Sequence, residues 1–206
     1  MNTSNLLTRF TQPKFLKKIL ISHYVEDDCD DYFDRIESIN DKYLRNLFLH
    51  TITIGKACVL EFLVLLNENK YFFNGNEIFS SQKSAVKSAS VALKWISLYH
   101  LIKFLNHNSD KRDKNAVRAF APQLFELSRS ETSRLNRFLA FAADNETEFE
   151  IAFSKFFAAS LFENGHNVGK NTFSPLKLAI IDNFLYNSYN DFYNSLTGFF
   201  VFNTEI

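Results

Sequence analysis

Helix breakers are scarce in this chain: 206 residues contain five glycines and three prolines. A loop-rich sandwich or a low-complexity disordered segment needs far more of both, so their scarcity excludes those classes and favours long, rarely interrupted elements. Cysteine is nearly missing as well. Cys29 and Cys58 stand in no metal-binding or redox spacing, which excludes a disulfide-stapled fold and suits a reducing compartment. Neither sign of charge dominates, because 23 Lys plus Arg balance 23 Asp plus Glu, so no overall field draws in nucleic acid or an anionic membrane. The first residues lack the basic start, apolar run and small-residue cleavage site of a secretory signal. The longest apolar stretch, Ala57 to Leu66, is broken by Glu61 and is short for a bilayer span. These absences predict a cytoplasmic protein with no membrane partner.

What the chain does have is phenylalanine: 24 Phe and 8 Tyr within a hydrophobic content of 46%. Length and composition predict one all-α domain, residues 1–206, of about seven to nine helices around a Phe-rich core. Pro13 fits the first turn of a basic helix carrying Lys14, Lys17 and Lys18. From about Asp41 to Asn67 runs the longest helical pattern, interrupted only by Gly55, which marks either a close-packing point or a bend. Residues 70–79 differ, because aromatic residues flank Asn74-Gly75 and so allow a small hairpin or a loop. Ser80 or Ser81 caps the next helix, Gln82 to His107, whose two apolar stripes (Val86, Ala89, Leu93, Ile96 and Tyr99 or His100; Val91, Trp95, Leu98, Ile102, Leu105) mark it as central. Helices over about 115–128 and 130–143 follow. Phe149, Phe153, Phe156, Phe157 and Leu161 then form the core stripe of a helix from Glu146 to Glu163. Ser174-Pro175 reads as an N-cap and first helical residue, opening a final helix with Ile181, Phe184, Leu185, Tyr189, Phe192 and Leu196 on its face.

Charge is segmental. Residues 26–37 hold seven acids opposed only by Arg35, and eight bases against four acids fall between Lys103 and Arg137. Such blocks are solvated faces or docking surfaces for a protein partner.

One arrangement suggests chemistry. Arg45-Asn46-Leu47-Phe48-Leu49-His50 places an arginine, an asparagine and a histidine on a helix. It resembles the signature of HEPN-domain ribonucleases, all-helical proteins of bacterial toxin and antiviral systems, in which Arg, four to six residues and His recur, with Asn often directly after the Arg. The resemblance covers this motif and the helical class. It implies metal-independent cleavage of RNA, a homodimer that brings the pairs together, no cofactor, and three catalytic residues: His50 as acid/base, Arg45 as phosphate clamp and Asn46 as positioning group. A near-neutral imidazole can take a 2′-hydroxyl proton, and a guanidinium can hold phosphate charge bidentately. On a regular helix, however, the two side chains point about 140° apart. The competing reading is a non-enzymatic adaptor, inhibitor or immunity-type partner that binds protein through the acidic 26–37 or basic 103–137 segment.

Other motifs carry less. Asp30-Asp31-Tyr32-Phe33-Asp34 matches the DDxxD pattern of helical isoprenoid synthases, but Asn190-Asp191 lacks the Ser and Glu of their second metal motif, so the acids read as a solvated helix start. Glu163-x-x-His166 is half of a di-iron pair and sits beside Gly165. Gly165-x3-Gly169-Lys170 lacks phosphate-loop spacing. His23, His100 and His107 stand alone in the sequence. No metal site is expected.

Overall fold

A computed structural model describes residues 30–68, 82–108, 111–162 and 174–203. They form seven helices and no strand: α1 (30–37), α2 (Lys42–Glu68), α3 (Gln82–Asn108), α4 (Lys111–Leu124), α5 (Arg129–Asp144), α6 (Glu146–Phe162) and α7 (Pro175–Asn203). The all-α expectation holds. The Pro13 helix, the 70–79 hairpin, the Ser80/Ser81 cap, Cys29, and the Glu163/His166 and Gly165–Lys170 motifs lie outside the described residues.

Local chemistry fixes the helix ends. Asp41 accepts from the Leu44 backbone N–H at 3.1 Å and starts α2; Ser174 does the same for Lys177 at 3.3 Å, with Pro175 first in α7. Ser128 and Glu131 form a capping box for α5. Asn145 alone joins α5 to α6, donating its N–H to the Phe141 carbonyl and accepting the Glu148 N–H on its side chain. α4 begins four residues earlier than its apolar pattern predicts, because Lys111 to Lys114 make a polar first turn. It stops at Leu124 through a 6→1 bond from Leu127 N–H to the Pro122 carbonyl, with Glu126 in the left-handed region at φ 48. Arg35 of α1 covers that end, donating to the Leu124 carbonyl at 3.0 Å and pairing with Glu126 at 2.7 Å.

The axis of the bundle is α3, packed against α2, α5, α6 and α7. Its two apolar stripes are buried apart from Val86 and Val91, which are half-buried, and from Trp95 to Leu105 no residue is exposed. Trp95 meets Phe153 and Phe156 edge-on, while Phe138, Phe149 and Phe153 extend the aromatic core. The window Lys42–Leu66 of α2, with mean hydropathy 1.7, is long and apolar enough to span a bilayer by composition, further than the Ala57–Leu66 run alone suggests; 44% of it is buried inside the bundle, against α3 and α7.

Gly55 is a close-packing point. A Cβ there would overlap the Ser97 hydroxyl of α3, so glycine lets the two longest neighbours approach. The Ser97 Oγ is fully buried with no hydrogen-bond partner among the described residues. Alanine at 55 would gain about 1 kcal/mol of helix propensity but must displace that hydroxyl. We expect Gly55→Ala alone to give no net stabilisation in urea unfolding, and Gly55→Ala with Ser97→Ala to recover the gain, since the remaining Ser97 Cβ stands 3.5 Å away.

Candidate functional site

The expected catalytic residues sit on the rim of α2. Leu47, Phe48, Thr51 and Ile52 face the core, Leu49 is 41% exposed, and Arg45, Asn46 and His50 are half-buried. The helix turns Arg45 and His50 to opposite flanks of the outward face, about 140° apart, as the spacing predicts. Within one chain they do not share a cleft. The Arg45 guanidinium and the Asn46 amide make no hydrogen bond to a described residue.

His50 points at α7. Its ring lies 5.7 Å from that of Phe192, the Phe192 backbone is its hydrogen-bond partner, and its Nε2 is shut off from solvent. Burial holds its pKa below the ordinary value, with the backbone bond opposing. The imidazole is therefore neutral at pH 7.

A second histidine, His100 of α3, meets the same turn of α7. It is fully buried, stacks on Phe192 at 5.0 Å and 14°, and its Nε2 lies 3.0 Å from Ser188 Oγ. Ser188 gives its own proton to the Leu185 carbonyl at 2.8 Å, so Nε2 must be the donor and Nδ1 carries the bare lone pair. That lone pair has no partner among the described residues. The proton direction is the reverse of an activated serine, and both residues are shut from solvent, so this is no nucleophile pair. Burial, with His50 adding, pushes His100 down to about 3.

One turn further on, Lys103 is 4% exposed and pairs with Glu146 at 3.2 Å and, more closely, with Glu150. Its ammonium sits over Tyr189 at 4.8 Å, Tyr186 at 5.6 Å and Tyr99 at 5.8 Å. His107 also reaches Glu146 at 3.0 Å. Burial disfavours the Glu146 charge, but the Lys103 and His107 contacts outweigh it and its pKa lies below the ordinary value. Lys103 is thus not part of the basic face counted from the sequence; it is interior. On α6 and α7, Ser154 donates to Asp182, whose pKa is raised by burial and by Glu150 against that bond.

The DDxxD acids Asp30, Asp31 and Asp34 are exposed on α1, and no group of three His, Cys, Asp or Glu among the described residues could hold a metal ion. Cys58 is buried and reduced; burial, then Glu61 and Asp191, push its thiol up to about 12. The Ser188, Glu146 and Glu150 partners are invisible to local sequence patterns, because they lie 39 or more positions from the histidine or lysine they meet. No protein-family model, curated protein or solved structure matches the chain.

Removing Lys103 leaves two carboxylates facing an aromatic wall. Lys103→Met should cost about 3 kcal/mol in urea unfolding at pH 7, the low end for breaking a buried pair because both carboxylates reach solvent, and less at pH 4.

Proposed function

We propose that this chain is a non-enzymatic helical interaction protein that docks a short acidic protein segment on the surface of α4 and α5. The observation behind this reading is how the charges of that surface are used. Glu126 pairs with Arg35 and Glu131 with Lys94, both from other helices, at 2.7 and 3.2 Å. Arg118, Arg129 and Arg137 are exposed with no carboxylate partner among the described residues, and Phe120 of α4 is exposed as well. Guanidinium groups without a carboxylate partner among the described residues are suited to bind carboxylates bidentately. A short segment fits better than a long polyanion: the Arg35–Glu126 bridge holds the exposed acids of α1 against the end of α4, where an extended nucleic acid would meet repulsion.

A second reading, metal-independent RNA cleavage of the HEPN type, is supported by an Arg45 guanidinium that makes no hydrogen bond to a described residue and by a His50 that is neutral at pH 7 and so able to act as a base. One assay separates the two. Wild-type protein incubated with single-stranded RNA in EDTA should leave it intact, and His50→Ala should lose stability only. Cleavage that falls ~10²-fold in both His50→Ala and Arg45→Ala would replace the binding reading with the enzymatic one. For the binding reading, a Glu-rich peptide should bind wild-type protein at low salt and lose affinity steeply by physiological salt, where screening acts within about 8 Å. Arg118→Ala with Arg129→Ala and Arg137→Ala should abolish that binding with no change in melting temperature.

A further inference from the structure

A single turn of α7, Ser188 to Phe192, is gripped by one histidine from each of two other helices. His50 of α2 bonds to the Phe192 backbone and packs on its ring, and His100 of α3 donates to Ser188 and stacks on the Phe192 ring from its own side. We propose that this histidine clasp makes α7 an acid-releasable helix: uncharged imidazoles hold the turn, and their protonation frees α7 from α2 and α3 while the other helices stay packed.

The geometry makes protonation incompatible with closure. His100 already uses Nε2–H on Ser188, so a second proton lands on Nδ1, which has no acceptor among the described residues and lies in a fully buried site. His50 is close enough for each charge to repel the other. No carboxylate contributes to the shift of either ring. On α2 the Cys58 thiol is buried and senses Glu61 and Asp191. On α3 stand Lys103, whose ammonium is met by Glu146 and Glu150, and His107, whose ring is 6.3 Å from Tyr189 and which pairs with Glu146. On α6, Glu146 and Glu150 are taken up by Lys103. On α7, Asp191 is an exposed carboxylate within the gripped turn, Asp182 bonds to Ser154, and Tyr189 is buried with its pKa raised and its hydroxyl unpartnered among the described residues.

The direction follows from linkage. Both histidines have folded values below the free value of 6.5, so their stabilisation is complete above pH 6.5 and is lost as pH falls below it. For His100 the loss reaches about thirtyfold in the closing equilibrium by pH 5. The helix that leaves is α7, because the packing of α3 on α5 and α6, through Trp95, Phe138, Phe149 and Phe153, does not pass through the clasp.

Hydrogen exchange read by mass spectrometry, corrected for intrinsic rates, tests this on the full chain. Between pH 7.5 and 5.0, α7 protection should fall at least tenfold relative to α5 and α6. In His50→Gln/His100→Phe, which keeps a donor for the Phe192 carbonyl and an aromatic stack, it should stay flat; in His107→Gln it should fall as in wild type. Protection of α7 that tracks α5 and α6 in the wild type, or a response abolished by His107→Gln, would overturn the proposal. Should the double variant not fold, proton NMR of the wild-type imidazoles decides: both must titrate below 6.5, and either one titrating at or above it refutes the clasp.

Discussion

A helix enclosed on every side has no water to offer its polar residues, and those that α3 carries inward include Ser97, His100 and Lys103. The rest of the bundle is arranged around that constraint. Each residue is accommodated differently. Ser97 is tolerated by deleting the opposing side chain, Gly55, which brings α2 close but leaves the hydroxyl orphaned. His100 keeps the uncharged form and spends its one proton on Ser188. Lys103 draws two glutamates of α6 and three tyrosine faces around it. Moving along α3 from Ser97 to Lys103, the environment changes from dry to half-wet, and the polar group goes from unpaired to fully ionic.

These contacts determine register where phenylalanine cannot. Aromatic rings pack in several offsets with similar energy, so a core of Phe149, Phe153, Phe156 and Phe157 against Trp95 and Phe138 is weakly specific about helix sliding. Glu146 and Glu150 stand one turn apart on α6 and both reach the same ammonium, a condition met at only one offset of α6 on α3. Ser188 does likewise for α7. A buried ion pair adds little net stability over an apolar substitute of equal volume. Its contribution here is to select one packing among near-equals.

The sequence was legible where structure depends on neighbours along the chain. Asp41, Ser174-Pro175 and the Phe149-to-Leu161 stripe predicted helix starts and core faces that the structure repeats, because caps and amphipathic spacing act within one or two turns. It misled at α4. There the stop depends on a non-glycine residue with positive φ, Glu126, steadied by Arg35 from 91 positions away. The final helix, at 29 residues, exceeds α2, although α2 showed the longest pattern. Lys103 was read as surface charge because a lysine's partners cannot be seen from its own helix. His100 looked solitary for the same reason: Ser188 lies 88 positions on.

His50 is where the two proposed roles compete, because one imidazole cannot serve both. To act on RNA it must present a nitrogen to a ribose 2′-hydroxyl, on the outer flank of α2 or across a dimer seam. In the closed bundle its Nε2 is sealed from solvent and the ring is bonded to the Phe192 backbone, so the clasp occupies the group that catalysis would need. Arg45, about 140° around the helix, is untouched by this competition and stays available whether α7 is docked or free. A chemistry built on the pair therefore requires α7 to leave first. Leaving needs a proton that the buried site resists, and the same proton would convert the base into its conjugate acid. The closed state thus favours a role in which His50 fastens α7 and the exposed arginines of α4 and α5 meet the partner.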